Sequence, residues 1–187
     1  DVYKRQIETP HSKVNHLSNE KPYCVISFKK WKQYCLETKN KLDIVNKQVI
    51  EYLPINNYFK IITADKEEYY AEKIYDSRST REKKGELIQH FLGINITVAD
   101  NTFNDEKLTL MHFTQENNLL HFIYILPFSH NQALVESTVF SKEVFDDSWY
   151  IEKIKNYLML NNITKFEEQS MEKGIIPMFF ADERKSN

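Results

Sequence analysis

"LLHFIYILPFSHNQALVESTVFS", residues 119–141, is the stretch on which the fold turns. Two apolar arms, 119–129 and 132–141, flank the polar turn-forming "SHN", and the simplest reading is a β-hairpin. In the second arm Ala133, Val135, Ser137 and Val139 point one way, and Leu134, Glu136, Thr138 and Phe140 the other. The first arm is apolar on both faces, so it must be covered on both sides or line an apolar cavity. Glu136 shares its face with Leu134 and Phe140. It is either a solvated edge residue or an acid withheld from water.

Strand-like segments continue on both sides of this hairpin. "LIQHFLG" (87–93), "INITVAD" (94–100) and "LTLMHFTQ" (108–115) precede it, with "DNTFNDEK" and "ENN" as turns. An antiparallel meander is the expected topology. "DDSWYIEKIKNYLMLNN" (146–162) follows as a helix capped by Asp147 or Ser148, with Ile151, Ile154 and Leu158 on one side. "ITKFEEQSMEKGIIPMFF" (163–180) returns to extended structure, and the last seven residues are polar and expected to be disordered.

Upstream, residues 7–22 are polar and aperiodic and read as a loop. "YCVIS" is a short strand, and Ser27 caps a helix over 28–41 with Phe28, Trp31 and Cys35 as its apolar stripe. A strand over 42–55 and a hairpin over 57–78, closed by "ADKEE" and ending in "DSR", complete this part. Residues 79–86 make a charged connector. "DVYKRQ" (1–6) looks like the translation of a sequencing-library adapter; the other reading is a native tail, and the stretch is set aside from the fold expectation. The fold class is α/β, an α+β mixture in this chain: an antiparallel sheet backed by a helix over 81–171, a mixed α/β portion over 7–80, and a segment at 172–187 leading back toward that portion.

Bulk composition narrows the function. The 187 residues are 41% hydrophobic and 28% charged, as in an ordinary folded domain. A formal charge of −2 gives no reason to expect nucleic acid as a partner. Two cysteines, Cys24 and Cys35, form no disulfide framework and fit a reducing compartment. "FIYILPF" is too short to span a bilayer, and no secretory signal is visible. Only three glycines occur, where average usage gives about thirteen. A G-x-G-x-x-G nucleotide turn is therefore missing.

Chemistry centres on the acid. If Phe128 lies opposite Ala133, Glu136 falls opposite Ile125, and Ile125 opposite Leu110. His112 and Ile123 then lie one step along the same face, so Glu136 and His112 share an apolar wall. A one-residue slip would break this arrangement. A carboxyl on such a wall is desolvated and its pKa rises, which keeps a proton available for donation near neutral pH. A packed, non-catalytic histidine is the other reading of His112. Asp76, Ser77 and Arg78 follow the arm "AEKIY" as a polar strand end, a place where open α/β sheets present groups to ligands; a plain surface turn fits equally. No metal-ligand spacing and no Ser-His-Asp or Cys-His arrangement is present.

Taken in order, "YDSR", "QHFLG", "LTLMHF", "FIYILPFSHNQALVESTVFS" and "GIIPM" resemble the lycopene cyclases, flavoproteins that close the ends of linear carotenes into rings. The resemblance covers roughly residues 22–178. It implies an FAD-binding Rossmann-like portion within 7–80, incomplete because the glycine-rich unit is absent, and a substrate and catalytic domain over 81–171. It implies that Glu136 is the essential acid of an E-x-T strand motif and that Asp76, Ser77 and Arg78 approach the flavin. Met111 and Phe113 match an M-D-F/W motif whose acid is replaced here by His112; together with Pro127 and Phe128 they are assigned to the substrate pocket. The implied cofactors are reduced FAD and NADPH, neither expected to bind this chain stably by itself. The implied substrate is lycopene or a related linear carotene. The implied location is cytoplasmic with peripheral membrane contact, and the chain is expected to be an internal part of a longer enzyme. A related flavin monooxygenase, an isoprenoid reductase and a non-catalytic lipid-binding module stay open as alternatives.

Overall fold

The computed structural model describes residues 2–17, 20, 23–38, 43–78, 85–116 and 118–178. Along the chain run β1 (Val2–Thr9), β2 (Ser12–His16), β3 (Tyr23–Cys24), α1 (Phe28–Thr38), β4 (Val49–Ile55), β5 (Tyr58–Thr63) and β6 (Glu68–Ala71). They are followed by β7 (Ile88–Thr97), β8 (Lys107–Phe113), β9 (Leu120–Ser129), β10 (Gln132–Ser141), α2 (Asp147–Leu160) and β11 (Glu167–Pro177). Two units result: Asp1–Val25 with Ser79–Asn187, and Ile26–Arg78.

The first unit is a mixed sheet in the order β11-β7-β10-β9-β8-β1-β2, with β3 paired to β1. Helix α2 covers one face. Tyr150, Ile154 and Leu158 meet Leu92, Ile94, Val135 and Val139 there, all nearly inaccessible to solvent. Each buried Ile or Leu contributes about 1.5–3 kcal/mol of transfer free energy. Asp146, with extended φ of −65° and ψ of 147°, is the N-cap, one residue before the expected Asp147 or Ser148. At the other end Asn162 takes φ of 60°, and the Ile163 amide donates to Leu158 O at 2.8 Å. That is the left-handed stop that asparagine tolerates better than most residues.

Two expectations are corrected here. "LIQHFLG" and "INITVAD" form one continuous strand, β7, which lies between β10 and β11 and not beside β8; the sheet is therefore no simple meander. Residues 7–16, read as a loop, belong to β1 and β2, and residues 2–6 supply the rest of β1, which runs parallel to β8. The loop reading fails because β2 is exposed along its length and carries no apolar alternation. Its turn is closed by polar side chains, the Ser12 amide donating to Thr9 Oγ1 at 3.0 Å. Residues 7–25 and 172–177 fall with the large sheet, and the two units divide at Val25/Ile26 and Arg78/Ser79.

The second unit is a meander of β4, β5 and β6 together with α1. Ser27 caps α1: its carbonyl accepts from Trp31 N at 2.9 Å and its Oγ from Lys30 N at 3.4 Å. The Phe28/Trp31/Cys35 stripe exists, yet no residue of α1 is buried. Strand β6 stops at Ala71, opposite Phe59, because β5 begins one residue earlier at Tyr58 and offers no further ladder. Residues 72–78 are consequently irregular, and "DSR" does not end a strand. The last turn predicted for α1, most of the connector 79–86 and the tail after Met178 lie outside the described residues.

Candidate active site

Glu136 sits mid-way along β10, opposite Tyr124 of β9 and Gly93 of β7. The hairpin carries a bulge: Gln132 pairs with Ser129, but Ala133 pairs with Pro127. Phe128 is the extra residue, so Glu136 faces Tyr124 and not Ile125. One inserted residue exchanges the faces of β9 relative to the expectation. Leu134, Glu136 and Thr138 thus share the face away from α2 with Tyr124, Phe122 and Leu126, while Ile123 and Ile125 lie in the helix-side core.

This placement withholds water from the carboxyl. Glu136 is half-buried, with buried Leu134 and Thr138 two residues to either side. Burial pushes its pKa up to about 7; the hydrogen bond from Thr138 Oγ1 to Oε1, 2.6 Å, opposes that rise, and the charge of Glu172 adds to it. An acid so poised holds a proton near neutrality in a largely apolar setting.

His112 is not on this wall. It pairs with Ile123, its ring meets Tyr157 of α2 at 5.0 Å, and Glu8 Oε2 lies 3.2 Å from its Nδ1. It therefore belongs to the helix side, and the expected pairing with Glu136 fails through the same bulge. Phe113 does lie on the Glu136 side, its ring 5.8 Å from Phe122, which is 6.4 Å from Phe140. Met111, two residues from Phe113 along β8, is half-buried. Pro127 pairs with Ala133 of the helix-side core, and Phe128, on the bulge, is 48% exposed; neither joins the Glu136 face.

Sequence reasoning missed two buried histidines beneath α2. His121 Nε2 lies 2.8 Å from Ser137 Oγ, its ring stacks edge-on against Trp149, and burial drives its pKa down to about 4. His90 lies between Tyr150 and Ser141, and burial lowers its pKa as well. His90 and Tyr150 help line a cleft of about 390 Å³ between β7, β11 and the start of α2, which does not include Glu136. The only sequence signal for either histidine is its position within an otherwise apolar strand.

In the second unit, Asp76 and Arg78 lock each other in a two-pronged pair, Nε to Oδ1 at 2.8 Å and Nη2 to Oδ2 at 2.7 Å. That pairing holds the Asp76 pKa down at about 2. Arg78 Nη1 also donates to Val49 O at 3.0 Å. With Ser77, Lys47, Tyr52 and Tyr75 they line a cleft of about 500 Å³. No glycine lies there: Gly93 and Gly174 are in the large sheet, and Gly85, with φ of 83°, precedes it. A dinucleotide pyrophosphate is cradled by a glycine-rich turn at a helix N-terminus. The described residues of this cleft do not build that cradle. Among the described residues no cluster suited to a metal occurs.

The family profile described as "Lycopene cyclase protein" matches residues 11–186. The chain belongs to the lycopene cyclase family. This lycopene cyclase family member has no match among curated proteins. Its fold is similar to that of the halogenase PltM, solved with ethyl mercury and mercury (TM-score 0.66, 6% identity, 92% of this chain and 42% of that one). It is also similar to a variant of HpxO from Klebsiella pneumoniae complexed with FAD (0.58, 8%, 92% and 51%). A third similar structure is a geranylgeranyl bacteriochlorophyll reductase-like protein from Thermoplasma acidophilum (0.56, 15%, 95% and 50%). The chain spans about half the length of these proteins or less. No described helix is long and apolar enough to cross a membrane.

Proposed function

We propose that this chain carries the proton-donating half of a carotene cyclase, with Glu136 as the acid. The observation behind it is a carboxyl held protonated to about pH 7 on the sheet face away from α2, in a chain of the lycopene cyclase family. The reaction is an isomerisation. Glu136 protonates the terminal double bond of lycopene or a related linear carotene, the next double bond captures the tertiary cation, and loss of a second proton leaves a ring. Phe113, Phe122 and Phe140 line the same side and keep water from the cation. Thr138 steadies the carboxylate left after donation.

The family's reduced FAD and its NADPH donor belong to the same proposal, with Asp76, Ser77 and Arg78 as a contact to the flavin and not its whole seat. When bound, the flavin supplies a reduced, electron-rich surface without net transfer of electrons. Peripheral membrane contact follows from a lipid-soluble substrate, and the low cysteine count fits a reducing, cytoplasmic compartment. In the full-length gene product containing this chain, Glu136→Gln is expected to lower ring formation at least about 100-fold while flavin absorbance is retained. Undiminished ring product would remove Glu136 from the mechanism.

A second reading, a flavin monooxygenase or isoprenoid reductase, is compatible with the fold shared with the FAD complex of HpxO and the geranylgeranyl bacteriochlorophyll reductase-like protein. Product mass separates the two: a cyclase leaves it unchanged, whereas the others add oxygen or hydrogen.

A further inference from the structure

Gly93 of β7 is opposite Glu136 on one side and Glu172 of β11 on the other. Directly paired residues share a face, so the two glutamates rise on the same side of the sheet with only a glycine between them. A Cβ at Gly93 would come 2.9 Å from Leu134 Cδ1, 3.4 Å from Glu136 Cβ and 3.5 Å from Glu172 Cγ, so the two stems flank a notch that the tip of Leu134 caps. The carboxyls differ in setting: Glu136 is half-buried beside Leu134 and Thr138, whereas Glu172 is exposed on the outermost strand. Two carboxyls placed in unlike surroundings are the usual means of assigning acid and base roles within one site.

We infer that Glu172 is the second carboxyl of the site and accepts the proton that leaves the ring cation, with the isoprenoid end seated against Leu134 between the two carboxyls. This rests on the cyclisation reading. Glu136 gives its proton to the terminal double bond, forming a C–H bond and a tertiary cation. The neighbouring double bond closes the ring C–C bond and moves the cation into the ring. An adjacent C–H bond breaks, its electrons become the ring double bond, and its proton passes to the Glu172 carboxylate. The carotene formula is unchanged. The site ends with the proton on Glu172 and the charge on Glu136, and one exchange with water restores it.

The test runs the full-length gene product, flavin reduced, with linear carotene in deuterium oxide. Glu172→Gln is expected to lower ring formation at least about 100-fold, yet to return linear carotene carrying deuterium at its end, because protonation by Glu136 still occurs and reverses. Glu136→Gln is expected to give neither ring nor deuterium. Wild-type ring formation by Glu172→Gln would overturn the inference, as would joint loss of ring and deuterium uptake in that variant. A wild-type protein that forms no ring removes the cyclisation reading and this role with it. The 187-residue chain offers an independent readout by ¹³C-carboxyl titration: Glu172→Gln should lower the Glu136 midpoint, and an unmoved midpoint overturns the adjacency.

Discussion

The Thr138 hydroxyl donates a 2.6 Å hydrogen bond to Glu136 Oε1, two residues back on the same strand face. It opposes the desolvation that raises the Glu136 pKa. Thr138→Val keeps the shape of this fully buried side chain and removes the donor. The Glu136 midpoint, followed by ¹³C-carboxyl titration, is expected to rise by roughly one pH unit, since a hydrogen bond to a charged group contributes about 1.5–3 kcal/mol. A fall or no change would show that the bond does not favour the anion.

The same carboxyl makes stability depend on pH. Its native pKa of about 7 lies above the ordinary 4.5, so the folded chain binds the proton more tightly than the unfolded one. The resulting contribution is fully present below pH 4.5 and is lost as pH rises through 7. Glu136→Gln removes the cost of burying the anion. Urea unfolding should find this variant more stable than wild type by about 2–3 kcal/mol at pH 8, with the gap closing toward pH 4.5. A gap independent of pH would contradict the desolvated state of Glu136.

His121 carries the opposite dependence. Its ring is buried among Thr114, Ser137 and Trp149, with Glu116 and Lys153 as the nearest charges, and its pKa is lowered from 6.5 to about 4. The unfolded chain therefore binds the proton more tightly. Stability from the neutral ring is full above pH 6.5 and is lost as pH falls through 4, amounting to about 3 kcal/mol. His121→Gln should be less stable than wild type at pH 7, and its urea midpoint should fall less between pH 7 and pH 4. Parallel loss in both proteins would place the acid sensitivity elsewhere.

The hairpin at 119–141 and helix α2 were legible because their apolar alternation and 3.6-residue period are local signals. The sequence placed Glu136 on one strand face with Leu134 and Phe140, which left a solvated edge and a desolvated acid both open. Its partners were not legible. The bulge at Phe128 leaves no mark that separates it from a regular turn, yet it moves His112 to the far face and puts Tyr124 beside Glu136. Gly93 and Glu172 join the site only through the pairing of β7 with β10 and β11, contacts about 40 residues and more apart that no local pattern encodes. Likewise, β1 and β2 escaped notice because side chains exposed on a short polar hairpin carry no burial period.

Gly174 supplies the last prediction. It pairs with Phe91, one row along the sheet from Gly93, and the Phe91 ring lies across it. A Cβ at Gly174 would fall 2.8 Å from two atoms of that ring, whereas at Gly93 the tightest contact, 2.9 Å, is with the tip of the flexible Leu134 side chain. Leucine can turn away at little cost, but a rigid ring pressed against the backbone must swing off as a whole. Gly174→Ala is therefore expected to destabilise the chain by about 1–3 kcal/mol, the usual range for overpacking, and Gly93→Ala by less. Thermal unfolding of the two variants measures the difference. Equal melting temperatures would mean that the ring moves as freely as the leucine, and that Phe91 is not fixed over β11.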